Sequence, residues 1–241
     1  MRFLPVLLLI VLLSGCATVG SEKVMSQPQN TKVVAVSLIG NQLKIRHVGT
    51  TIFSNAKHDL DVTNWNIDQQ IEDDASNLIQ SGGKFVVVKP ASADHRGKFG
   101  VPVKSLWSGA IDLEHMKEGA QSVARASGAD LVFVIREAEY GDPFFGTNQE
   151  FSGYGIYQRS IFFSNKAINF VTMNVIVFDG KTGESIAGTR QFIKGAREAS
   201  DWIAGEDLIV SKENEAKTKT NIFLLVQDLL KKSLIELKAI N

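Results

Sequence analysis

Ser127-Gly128-Ala129-Asp130-Leu131-Val132-Phe133-Val134-Ile135 is the stretch on which the fold turns. Five apolar residues in a row, 131–135, with no polar alternation, describe a strand covered on both faces. Just upstream, Leu113, Met116, Ala120 and Val123 recur at helical spacing, with Asp112 placed to cap the start and Gly128 to end the helix at C′. Further upstream the same pairing repeats. Ile67, Ile71, Ala75, Leu78 and Ile79 make an amphipathic helix, opened by Asn64 or Asn66 and closed by Gly82-Gly83, and residues 85–88 form a short strand stopped by Pro90. Helix followed by apolar strand, twice, predicts a sheet with helical cover.

Residues 33–39 and 42–48 are two extended runs separated by Gly40-Asn41, a turn pair that predicts a β-hairpin. Residues 49–61 are polar and irregular, and 91–109 read as a long loop with a short structured piece at Leu106-Trp107. Residues 154–163, 167–178 and 184–192 form a β-meander with turns at 164–166 and 179–183. Residues 195–221 are charged and irregular, with Trp202 and Ile203 expected to fold back on the body. Ile222, Val226, Leu229, Leu230, Ile235 and Leu237 define a last helix, and Lys231, Lys232 and Lys238 suit the negative end of its dipole. The expected order is β-β-α-β-α-β-β-β-α: one α/β domain with a mixed sheet, residues 32–241.

The chain has 241 residues, 26 Lys plus Arg balanced by 26 Asp plus Glu, and a single Cys. Zero formal charge excludes the basic footprint of a general nucleic-acid binder, and one Cys forms neither an internal disulfide nor a Cys-based metal cluster. The other end of the chain gives an address. After Met1-Arg2-Phe3, residues 4–13 are apolar apart from Pro5, a run too short for the ~20 residues of a membrane-spanning helix, and so a signal peptide, residues 1–15. Residues 16–31 carry no hydrophobic period and are expected to be a flexible tether spanning roughly 20 Å.

Three kinds of chemical site suggest themselves. Gly180-Lys181-Thr182 has the ending of a phosphate loop, but Val175 stands where its first Gly belongs, and the segment joins two strands; it is expected to be a turn. His58 with Asp59 and Asp61, and His95 with Asp94, would supply metal ligands if the two loops met, though no spacing requires it; His115 is placed on the solvated face of its helix. The expectation is no metal and no cofactor. No Gly-x-Ser-x-Gly elbow is present, and Asp73-Asp74 reads as surface charge.

The densest aromatic region is 140–163, where eight of the chain's seventeen Phe and Tyr are interleaved with Gly141, Gly146, Gly153 and Gly155. Phe144, Phe145, Phe151 and Tyr154 are the candidate contact surface; the alternative is that such rings fill a core beneath a long loop.

Leu13-Ser14-Gly15-Cys16 resembles the lipobox of bacterial envelope lipoproteins. The resemblance implies cleavage before Cys16, lipidation of its thiol, and, with Ala17 next, an outer-membrane anchor facing the periplasm. The order of elements, and the junction Ser127 to Ile135, resemble the fold group of the curli-export lipoprotein, the peptidoglycan-synthase activator lipoproteins and the amino-terminal domain of TolB. This implies a non-enzymatic, lipid-anchored assembly or regulatory factor acting on an envelope protein partner. The competing expectations are a glycan- or peptide-acting envelope hydrolase and a subunit of an oligomeric secretion pore.

Overall fold

The computed structural model describes residues 18–49, 52–100, 103–104, 111–141, 149–161, 164–189, 193–198 and 210–241. Its elements are β1 (Thr18–Val19), α1 (Ser21–Met25), β2 (Thr31–Leu38), β3 (Gln42–Val48), β4 (Ala56–Asp61), α2 (Ile67–Ser81), β5 (Phe85–Val87), β6 (Val103–Lys104), β7 (Ile111–Asp112), α3 (Glu114–Ser127), β8 (Leu131–Glu137), β9 (Glu139–Gly141), β10 (Glu150–Ile161), β11 (Ser164–Asp179), β12 (Ser185–Thr189), β13 (Ile193–Glu198) and α4 (Lys212–Glu236). The mixed α/β class expected from the sequence is the class observed.

The sixteen-residue strand β11 is the spine of the sheet. Along one side its second half pairs with β8, from Met173↔Glu137 to Asp179↔Leu131, and its first half with β10, from Thr172↔Gly153 to Ser164↔Ile161. Along the other side β12 and β13 follow each other in the same way. One lane further out, β2 runs parallel to β8 and β3 parallel to β10. Beyond these, β5 lies parallel to β2 and β4 antiparallel to β3. Three lanes are thus each filled by two strands laid end to end.

An interrupted lane strands backbone polar groups, which must find other partners. At the β8/β10 break, Thr172 Oγ1 reaches the carbonyls of Ala138 (2.7 Å) and Gly153 (3.3 Å). At the β12/β13 break, Thr189 Oγ1 accepts from Val175 N at 3.0 Å. At the β2/β3 break the partners are two carboxylates of α2.

This arrangement corrects the expected hairpin. Gly40 takes a positive φ of 79°, but the backbone kinks there and runs on, because β2 and β3 point the same way in a lane whose neighbours are β8 and β10. Residues 56–61, expected to be irregular, form β4 on the sheet edge, and 193–198 form β13. The last helix begins ten residues earlier than its apolar stripe, where the Ser211 side chain accepts from Asn214 N at 3.2 Å. Asp112 ends β7 and Leu113 precedes α3, without a side-chain cap. Residues 106, 107, 202 and 203 lie outside the described residues.

Residue parity divides the core. Val33, Ala35, Phe133, Ile135, Val175 and Val177 face α2 and α4; Val34, Val36, Val132, Val134, Ile176 and Phe178 face α3. The strand 131–135 is therefore covered on both sides, as its composition requires. Farther along the α3 face, Val48, Phe151, Tyr157 and Phe170 form a separate aromatic cluster with edge-to-face contacts at 4.6 and 5.1 Å.

The expected tether is folded from Thr18 onward. Thr18 pairs with Thr189 and Val19 with Gly188, and Val24 is fully buried. Gly20 (φ 78°) passes so close to β12 that a Cβ there would lie 2.0 Å from the Ile186 carbonyl oxygen. Lys84 Nζ donates to the carbonyls of Val24 (2.9 Å) and Met25 (2.5 Å), closing the end of α1. A five-residue helix held by one apolar side chain and a capping lysine leaves no periodic signal.

Candidate functional site

The break between β2 and β3 gathers a cluster of buried charge. Asp68 and Glu72 stand four apart on α2 and so share a face, beside the buried Ile67 and Ile71. Asp68 Oδ1 accepts from Ser37 Oγ (2.5 Å), Ile39 N (3.0 Å) and Gly40 N (3.2 Å). Glu72 is only 3% exposed. Its Oε1 accepts from Ser37 N, Arg96 Nε and His95 Nε2, each at 2.9 Å, and its Oε2 from Arg96 Nη2 at 2.7 Å. The other ring nitrogen of His95 lies 2.8 Å from the Ser92 carbonyl. Tyr154 completes the junction by donating to the Gly40 carbonyl at 3.1 Å. Burial first, then the charges of Asp68, Asp61 and Glu137, hold its phenol above the usual range.

Two carboxylates and a histidine resemble acid–base machinery, but a general base needs a lone pair within reach of a substrate proton. Glu72 meets four donors and almost no water, so it serves as the backbone's missing hydrogen-bond partner and as the counter-ion of Arg96. Asp68 does the same for Ile39 and Gly40.

Burial raises the Asp68 carboxyl above the ordinary aspartate value, against the opposing pull of the Ser37 hydroxyl, the Gly40 amide and Arg96. A raised acid favours folding while it is protonated, and that contribution is lost as pH rises through the folded-state value. In thermal melts of Asp68→Asn and the parent from pH 4 to pH 7, the parent should gain on the variant toward pH 4. A difference independent of pH would contradict this.

The residues expected to carry chemistry lie apart. Gly180-Lys181-Thr182 is a turn, organised by Asp179 Oδ1, which accepts from the amides of Lys181 (3.0 Å) and Thr182 (2.7 Å). His58 is exposed on β4, Asp59 pairs with Arg46 at 2.6 Å, Asp61 accepts from Thr63, and His95 faces Glu72. Among the described residues no three His, Cys, Asp or Glu side chains gather as a metal group. His115 departs from its expected solvated face: both ring nitrogens are buried.

Of the candidate contact aromatics, Phe151 and Tyr154 are each 1% exposed and belong to the core, because β10 is an interior strand between β3 and β11. Tyr154 packs 6.3 Å from Trp65 on one face, and Phe151 joins the aromatic cluster on the other. Phe144, Phe145 and Cys16 lie outside the described residues. A further aromatic, Phe53, is 93% exposed in the short 3₁₀ turn Ile52–Ser54 between β3 and β4. One Phe in a polar stretch carries no periodic signal. Among the described residues no helix is long and apolar enough to cross a membrane.

No family model and no curated protein matches the chain. Among solved structures, it is similar to the PelC dodecamer of Paraburkholderia phytofirmans, at 14% identity over 89% of this chain and 92% of that one (TM-score 0.38). It is also similar to the Xanthomonas campestris protein XCC0632 of family DUF330, at 10% identity over 89% and 88% (TM-score 0.40). The LpoB C-terminal domain of Salmonella enterica matches at 14% identity over 74% and 93% (TM-score 0.29). At these scores the likenesses carry no functional inference.

Proposed function

We propose that the chain is an envelope lipoprotein, anchored through acylated Cys16 in the periplasmic leaflet of an outer membrane, whose folded domain works by contact with an envelope protein as an assembly or regulatory factor. The lipobox and Ala17 support the anchor and its location. Each acyl methylene buried in a membrane contributes ~0.8 kcal/mol, so two or three chains hold firmly where one is marginal. Because Thr18 is already paired with Thr189, the anchor and the fold are two residues apart, a reach of about 7 Å. On this reading the β1/β12 rim lies against the bilayer.

The observation that carries the contact reading is Phe53. Its ring stands almost wholly in water beside β4, which pairs with β3 alone among the described strands. A bare aromatic is an anchor for a partner, while Lys57, Asp59 and Asp61 on β4 guard that edge against indiscriminate pairing. The buried carboxylates, by contrast, are occupied by their own backbone. A photo-crosslinking amino acid at position 53 in living cells tests the proposal. One discrete envelope-protein adduct is expected, reduced at least tenfold when Cys16→Ala releases the chain; no adduct, or one indifferent to Cys16, would contradict it.

A further inference from the structure

Residues 18–30 lie between the lipidation motif and Thr31, where β2 enters the sheet. They are folded, but little holds them. β1 makes two residue pairs with β12, and α1 has five residues, far short of the ~12–15 at which a helix begins to stand alone in water. Among the described side chains of 20–30, Val24 alone is buried, and Met25 is 51% exposed. The remaining ties are polar and come from the body. Lys84 Nζ donates to the carbonyls of Val24 and Met25, Lys238 Nζ to Glu22 at 2.5 Å, and the Gly83 carbonyl accepts from Gln29 Nε2 at 2.6 Å. The Lys238–Glu22 pair lies in water, where an ion pair contributes little.

The sheet does not depend on this segment. β2 takes its partners from β5 and β8, starting at Thr31↔Phe85 and Val33↔Leu131, and β12 is paired with β11 on its other side. Lifting residues 18–30 away therefore breaks no pairing between other strands. Left-handed backbone flanks α1, at Gly20 (φ 78°) and Asn30 (φ 65°), so the chain turns sharply on either side of it. A weakly held unit of this kind opens while the rest of a fold stays closed.

We propose that residues 18–30 are a detachable strap that stores tether length. This rests on the acylated Cys16 of the reading above. Closed, the strap holds the domain about 7 Å from its anchor. Open, the chain from Cys16 to Thr31 becomes a tether of roughly 20 Å r.m.s. span with a ceiling near 50 Å. The same domain then works at the membrane surface or well away from it.

Two variants of the full acylated chain bias the strap in opposite directions. Gly20→Ala opens it, because a Cβ there meets the Ile186 carbonyl oxygen at 2.0 Å, and its nearest neighbours are backbone atoms of β12. Val19→Cys with Gly188→Cys closes it. These residues are directly paired on antiparallel strands, whose Cα separation of about 4.5–5.5 Å suits a disulfide. A Cβ at Gly188 meets nothing nearer than 3.6 Å.

Hydrogen exchange compares the amides of Ser26 and Asn30, bonded to the Glu22 and Lys84 carbonyls, with those of β8. In the parent the strap amides should exchange at least tenfold faster than β8. Gly20→Ala should speed them at least tenfold further with β8 unchanged, and the disulfide should slow them toward β8. Strap and β8 amides exchanging at one common rate in all three proteins would overturn the proposal. Reach is read by energy transfer from a dye on Leu224→Cys, a free thiol once Cys16 is acylated, to acceptor-labelled lipid in vesicles of phosphatidylethanolamine and phosphatidylglycerol. Gly20→Ala should lower the transfer; equal transfer in parent and variant would overturn the stored reach. No transfer in the parent would overturn the anchor and the stored reach with it, while the exchange rates still report whether the strap opens.

Discussion

Replacing Glu72 with Ala should lower stability by about 2–4 kcal/mol in urea denaturation at pH 7. The substitution removes one side chain but strands three groups: the Ser37 amide, the His95 ring and the Arg96 guanidinium. Breaking a fully buried pair typically costs 3–5 kcal/mol. The lower figure applies because the Arg96 side chain is 30% exposed and can turn to water, whereas Ser37 and His95 cannot. Glu72→Gln keeps the shape and can still accept from Ser37, so it should lose about half as much. A loss under about 0.5 kcal/mol for Glu72→Ala would mean that the β2/β3 break is held by something other than α2.

Gly155→Ala should be more damaging still. Gly155 sits at the centre of the sheet, opposite Lys44 on β3 and Phe170 on β11. A Cβ there would lie 1.8 Å from the Lys44 carbonyl oxygen, 2.7 Å from its carbon and 2.9 Å from the Phe170 ring. Two of these are backbone atoms of a paired strand, so the lane has to part. The expected loss exceeds about 4 kcal/mol, read as a collapse of Tm or failure to recover folded protein. Gly40→Ala is the control: its φ is 79° but nothing lies within 4 Å, so only the cost of left-handed backbone remains, about 1–2 kcal/mol. Similar losses at the two positions would contradict the close approach of β3 and β10.

What could be read from the sequence was local. The strand 131–135 announced two-sided burial by composition, α2 and α3 by period, and Gly128 by the left-handed φ of 68° that a helix end requires. What escaped was set by partners far along the chain. Gly40-Asn41 has hairpin chemistry, yet whether the chain reverses or runs on depends on β8 and β10, more than ninety residues away. β4 carries charge because it pairs with β3 alone among the described strands and leaves most of its side chains exposed, and β13 is a strand by virtue of its pairing with β11. The aromatic density of 140–163 left a contact surface and a filled core both open; the core reading holds for Phe151 and Tyr154, because β10 is an interior strand once β3 lies along it. Glu72 did not stand out in the sequence because its partners come from residues 37, 95 and 96. Its one local clue was the spacing to Asp68 beside an apolar stripe.

The proposed function requires an anchored domain that meets its partner through the edge beside Phe53. Moving the photo-crosslinking residue in living cells between position 53 and Leu224, which is 40% exposed on α4, tests this most directly. The expected result is one envelope-protein adduct from position 53, lost with Cys16→Ala, and none of comparable strength from position 224. Adducts of equal strength from both positions, or a position-53 adduct to a cytosolic protein, would contradict it.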